Sequence, residues 1–188
     1  MSRRRLLAAI VSAFVVVAPI VADDLSDIRA QAGARLFRAF LSADIDVDKK
    51  TVENNQLLIL FLYVDDKTRA TALASHFLGD NKDGGTIRGL PLTVAYSSDA
   101  SMASFKSRVP AGIFLAQPPN DATRRAVIKY GIEHHVIVYS PFEGDVESGI
   151  LGGLSVEAQV RPYVNLTTLA ASNISLKPLF FKVTKVFK

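Results

Sequence analysis

An α/β domain built on a mostly parallel central sheet, with helices on both faces and a C-terminal antiparallel hairpin followed by two helices, is what this sequence predicts. Three observations carry that prediction. Residues 56–64 (QLLILFLYV) form a nearly continuous apolar run closed by Asp65 and Asp66. A strand apolar on both sides needs cover on both faces, as in parallel sheets. Next, strand-like and helix-like segments alternate from residue 56 to residue 140, and that alternation is the signature of a parallel sheet with crossover helices. Last, the 188 residues show no repeat, low-complexity tract or linker, so residues 23–188 read as a single domain.

Residues 1–22 read as a secretory signal peptide. Arg3, Arg4 and Arg5 supply the positive start, residues 6–17 are an apolar run of 12, and a small-residue end follows, with cleavage expected after Ala22. The run is shorter than a membrane span requires, and Pro19 follows it. The mature chain is therefore expected outside the cytoplasm. Removing the three arginines takes the basic side chains from 22 to 19, against 18 acidic ones. A mature chain so balanced has no electrostatic footprint for nucleic acid or an anionic membrane. There is no cysteine, which excludes thiol catalysis, disulfide redox sensing and Cys-based zinc sites.

Residues 25–41 read as a first helix, with Leu25, Ile28, Ala32, Leu36, Ala39 and Phe40 near helical spacing and Arg29, Arg35 and Arg38 on its other side. Asp44, Asp46 and Asp48 alternate but lack the glycine and closing glutamate of a calcium loop, so a solvated loop is expected. Residues 67–78 read as a helix, with Leu73 and Phe77 one turn apart, and residues 79–85 are turn chemistry. A second strand follows over 86–88 and 92–96, interrupted by Gly89 and Pro91. Asp99 then caps a short helix over 100–108, and residues 112–116 form a third strand. Asn120 caps a helix over 121–130 that Gly131 stops, and 136–140 is a fourth strand. The hairpin is expected over about 150–156 and 159–164, as antiparallel edge strands.

The last forty residues organise the rest. Leu176, Leu179, Phe180, Val183 and Phe187 share a helical face, Ser175 is a candidate N-cap and Pro178 sits in the first turn. This predicts a final amphipathic helix lying as a lid on the core. The order of parts is a Gly152-Gly153 pair, a strand through Val160 and Val164, Asn165-Leu166 opening a short helix, then Ile174-Ser175-Leu176 with Leu179 and Phe180. It resembles the C-terminal pattern of the YfiR/HmsC family of small exported proteins. The resemblance implies a periplasmic, non-catalytic regulator that restrains a membrane-bound diguanylate cyclase, or another membrane sensor, by protein contact. Cyclic-di-GMP and biofilm formation would follow from that restraint. It leaves homodimerisation open and implies no cofactor. Members of the family tend to end the first helix with an aromatic and Trp-Pro sequence, which this Trp-free chain lacks.

Ligands in open α/β sheets sit beyond the carboxyl ends of the strands. Those ends offer Asp65, Asp66, Asp99, Gln117 and Glu143 as a polar rim able to hold a small molecule. A periplasmic small-ligand-binding protein is thus the alternative function. Adjacent Asp65 and Asp66 point to opposite faces of a strand and are poor partners for acid–base work. His134 and His135 beside Glu133 lack metal-ligand spacing, His76 reads as a core-edge residue, and no GxSxG elbow, phosphate loop or GxGxxG fingerprint occurs. No catalytic, cofactor-binding or metal-ligating residue is expected, and the chain reads as a non-enzyme. Arg29, Arg35 and Arg38 are the first candidates for a partner surface.

Overall fold

The computed structural model describes residues 20–79 and 85–188. Residues 1–19, most of the expected signal peptide, and residues 80–84 of the expected turn lie outside them. Two 3-10 turns occur near the start of the sheet, Val47–Lys49 and Glu53–Asn55, and a third covers Ala103–Phe105. The helices are α1 (Ile20–Ala43), α2 (Lys67–Leu78), α3 (Asp121–His134), α4 (Leu166–Ala171) and α5 (Pro178–Phe181). The strands are β1 (Thr51–Val52), β2 (Gln56–Leu62), β3 (Thr86–Ile87), β4 (Leu90–Ser97), β5 (Gly112–Leu115), β6 (Ile137–Ser140), β7 (Gly152–Val156), β8 (Val160–Asn165) and β9 (Lys185–Phe187). Among the described residues no helix is long and apolar enough to cross a membrane.

The strands form one sheet in the order β3-β4-β2-β5-β6-β7-β8-β9, with β1 paired to β2. The run β4-β2-β5-β6-β7 is parallel throughout. Numbered by appearance, that core has the order 2-1-3-4-5 of a doubly wound sheet, whose reversal point lies between β2 and β5. The expected α/β class is what the structure shows. The β7–β8 hairpin is antiparallel, as expected. It is not the margin of the sheet, because β9 adds a further strand parallel to β8.

The apolar run of β2 is buried as its composition demands. Leu57, Ile59 and Phe61 face α1 and α2, whereas Leu58, Leu60 and Leu62 face α3. Side chains alternate along a strand, so one uninterrupted run serves two cores at once. On the first face Phe37, Phe61, Phe77, Phe114 and Tyr139 form a ring-on-ring cluster with centroids 5.1–5.8 Å apart. Burying each such side chain contributes about 1.5–3 kcal/mol.

Several expectations are corrected here. The buried stripe of α1 is Ala30, Gly33, Ala34, Phe37, Phe40 and Leu41; Leu25 and Ile28 are 63% and 64% exposed. The helix carries two apolar stripes, and only the aromatic one fills the space over β5 and β6. α3 does not stop at Gly131 but runs to His134, with His135 as its left-handed cap at φ 58°. Gly131 is there because a Cβ would lie 2.7 Å from Val138 Cγ2, so the glycine permits close helix-to-strand contact. In place of a helix over 100–108 there is the single 3-10 turn Ala103–Phe105.

The expected final amphipathic helix is also absent. Residues 174–177 run as a strap beside the end of α1: Ile45 N–H donates to Ser175 O and Lys177 N–H to Ala43 O, each at 2.9 Å. Ser175 therefore caps nothing, α5 is one turn long, and the chain ends as β9. Leu176 is buried and Phe180 packs edge-on against Phe40, but Leu179 and Val183 are 72% and 59% exposed. Pro178 starts the turn, while β-branched Val183, Thr184 and Val186 favour the extended edge that follows.

Candidate functional site

The strand-end rim assembles around the reversal point, and it is largely self-satisfied. Gln117 Oε1 accepts hydrogen bonds from the backbone N–H groups of Val64, Asp65 and Asp66 at 2.7–3.1 Å. Its Nε2 donates to Asp65 Oδ1 at 2.6 Å. Asp66 caps α2 by accepting from Arg69 N–H at 2.8 Å. Gln117 thus occupies the crevice where a ligand's polar group would sit, and the hollow left there is only about 60 Å³. Asp99 accepts from Ser101 N–H at 2.8 Å, and hydrogen bonding from the Ser101 side chain, then from its backbone, holds the carboxyl below its ordinary value. Glu143 stands apart, in a small cleft with Arg29, Glu147, Tyr163 and Lys185.

The three arginines of α1 differ in role. Arg29 donates from Nε to Pro141 O at 2.5 Å and from its terminal nitrogen to Leu154 O at 3.0 Å. Arg38 donates to Phe77 O at 3.2 Å and Thr86 O at 2.6 Å. Both therefore tie the helix to carbonyls of neighbouring segments. Arg35 alone faces outward, on the stripe that also bears Leu25, Ile28, Ala32 and Ala39.

In the connection between β6 and β7 lies a buried polar network whose centre, Asp145, the sequence did not single out. Asp145, 2% exposed, accepts from Arg124 Nε at 3.0 Å and from Ser140 Oγ at 2.5 Å. It fixes the turn after β6 and, with Asn165 Nδ2 donating to Val146 O at 2.8 Å, the start of β7. These bonds are structural, since each partner is itself part of the fold.

A larger space lies at the opposite end of the sheet. A cavity of about 620 Å³ opens where the chain enters β2, β5 and β6, lined by segments 44–53, 107–110, 134–135 and 173–174. That volume is in the range of small-molecule sites. Asp44, expected in a solvated loop, is 1% exposed and accepts from Lys50 Nζ at 2.6 Å. Lys50 also donates to His135 O at 2.6 Å. His134 and His135 reach this cavity together because one ends α3 and the other caps it, not because an extended segment carries them. The His134 ring lies 4.3 Å from that of Tyr130, whose buried hydroxyl donates to Phe105 O and is pushed up to about 12 by desolvation. His135 Nδ1 lies 2.8 Å from Ser172 O. A carbonyl only accepts, so Nδ1 carries the proton and Nε2 is left to face other groups. Among the described residues no group of three or more acidic or histidine side chains is placed to hold a metal.

No family model matches the sequence, and no curated protein matches it significantly. Similarity appears at the level of folded structures. One is the ABC domain in complex with L-Trp from Streptococcus pneumoniae, with a TM-score of 0.52 and 13% identity over 85% of this chain and 60% of that one. Another is a conserved domain protein from Vibrio cholerae O1 biovar El Tor, with a TM-score of 0.48 and 13% identity over 74% of this chain and 57% of that one. At such identity the likeness to the first is one of fold, and the chain spans about 60% of that structure's length.

Proposed function

We propose that this chain is an exported, non-catalytic regulator of the YfiR type, which restrains a membrane-bound diguanylate cyclase by direct contact. The observation that supports the reading is the second apolar stripe of α1. Leu25 and Ile28 stand 63% and 64% exposed, in line with Ala32, Arg35 and Ala39. The fold has already used the other stripe of the same helix for its core, so these side chains contribute nothing to internal packing. Outward apolar side chains gathered on one rigid face mark an association surface. An arginine among them suits an interface core, where arginine is enriched. The partner surface thus shifts from the three arginines to the stripe around Arg35.

The test is the double variant Leu25→Ser/Ile28→Ser, with cyclic-di-GMP measured in cells carrying it in place of the native gene. Since both side chains are exposed, the variant should melt as the wild type does. It should raise cyclic-di-GMP as far as deleting the gene. Wild-type cyclic-di-GMP in the variant would reject the stripe, and no response to the deletion would reject regulation of a cyclase.

A further inference from the structure

We infer that the cavity at the amino ends of β2, β5 and β6 binds a small organic carboxylate with an apolar body, held by Arg108 in place of Glu53. The inference does not depend on the regulatory reading, because it concerns a different surface from the α1 stripe.

Three ion pairs border the cavity, and they are not equivalent. Lys50 and Asp44 are 17% and 1% exposed and are further held by backbone groups, so this pair is part of the wall. Lys49 and Asp46 sit three residues apart on the outer rim, 76% and 47% exposed. Arg108 and Glu53 come from separate segments, 107–110 and 52–55, and meet across the opening. Arg108 Nε lies 3.3 Å from Glu53 Oε2, with the side chains 44% and 76% exposed. An exposed pair held through one long contact contributes little. A guanidinium offers a planar fork that a carboxylate can take with two parallel hydrogen bonds. Glu53 therefore marks where an incoming carboxylate would sit, and it can swing into water when displaced.

The rest of the cavity selects what that carboxylate is attached to. Val52, Val109, Pro110 and Ile174 give an apolar wall, unsuited to a bare inorganic anion. His135 supplies a second polar point. With its Nδ1 held at Ser172 O, the ring leaves Nε2 to meet a polar group of the ligand. The opening is thus one cationic fork, one oriented imidazole and an apolar floor within about 620 Å³. That is the composition of a site for a small amphipathic acid.

The test is calorimetric titration of the full protein with hydrocinnamate. Hydrocinnamyl alcohol, phenethylamine and inorganic phosphate serve as probes that each lack one half of the recognition. Hydrocinnamate should bind saturably, and at least tenfold more tightly than any of the other three. Arg108→Gln should weaken hydrocinnamate at least tenfold, whereas Glu53→Gln, which removes the internal competitor, should tighten it. Both side chains are exposed enough that each variant should keep the wild-type melting temperature. Equal binding of the alcohol or the amine overturns the carboxylate, and equal binding of phosphate overturns the apolar body. Absence of hydrocinnamate binding, unchanged affinity in Arg108→Gln, or weaker binding in Glu53→Gln overturns the site.

Discussion

Gly153→Ala is the substitution whose effect the structure specifies most closely. A Cβ added at Gly153 would lie 2.6 Å from Val146 Cγ2 and 2.8 Å from the backbone oxygen of Ser140. Carbon contacts are comfortable at about 3.5–4.0 Å, so both distances require movement. Neither neighbour can yield easily. Ser140 is paired in register with Gly153 across β6 and β7, and its hydroxyl is held by Asp145. Val146 is 2% exposed and lies one residue beyond that anchor. Relief therefore means opening the β6–β7 pairing, and overpacking of this kind costs about 1–3 kcal/mol. Gly152→Ala is the internal comparison. Its Cβ would meet the edge of the Phe40 ring at 2.7 Å, and Phe40 leans on Phe180, which is only partly buried. A ring can tilt where a backbone carbonyl cannot, so Gly152→Ala should cost less. Urea unfolding of both variants is the assay. For a chain of this size, each kcal/mol should also lower the melting temperature by about 2–4 °C. If Gly153→Ala lies within about 0.5 kcal/mol of the wild type, or if Gly152→Ala is the worse of the two, the packing argument is wrong.

Asp145→Ala should destabilise by about 1–3 kcal/mol, because the buried Ser140 hydroxyl loses its acceptor and Arg124 keeps only Asp121 as a carboxylate partner; a loss below about 0.5 kcal/mol in urea would show that the network is not structural. Glu157 accepts from Lys185 of β9 at 2.8 Å, and this bond holds its carboxyl below its ordinary value. A depressed carboxyl stabilises the fold above its unfolded-state value and loses that contribution as pH falls through its folded value. Glu157→Gln should therefore flatten the acid limb of stability against pH, and an unchanged acid limb would mean that the latch on β9 carries no stability.

Much of the sheet was legible because its signals are local. The apolar run of β2, closed by Asp65 and Asp66, has the length and flanks of a doubly covered strand. Asp66 and Gly79 bracket α2 with a side-chain cap at one end and a positive-φ glycine at the other. The α1 face was misassigned for a physical reason: a helix rich in alanine offers apolar spacing on more than one side, and only the partners Phe114 and Tyr139 decide which is buried. The C-terminal segment failed differently. Its helical periodicity over 176–187 is real, but the strap must pair with residues 43–45, and β9 gains a ladder on β8 that a helix would forgo. The large cavity was not legible because its wall comes from separate stretches of chain. His135 faces it only through the left-handed cap of α3, and Arg108 only through the irregular approach to β5. Of the rim, Gln117, Asp65 and Asp66 meet while Glu143 does not, and no spacing rule reveals that one amide would satisfy three backbone donors.

The strap has a consequence for the order in which the chain can close. Ile45 is held by Ser175, which is 130 positions later, and Phe40 packs against Tyr139 and Phe180. None of these partners exists when α1 emerges during synthesis. At about 5–20 residues per second, the inward aromatics of α1 wait on the order of ten seconds for them. Apart from the two-residue antiparallel pairing with β1 at its start, β2 gains its neighbours only from downstream, so most of its apolar run has no early shelter. Such long-range closure is slow, since a large loop must be ordered before any contact repays it. The nascent chain therefore keeps the inward side chains of α1 and β2 open and adhesive until its last forty residues appear.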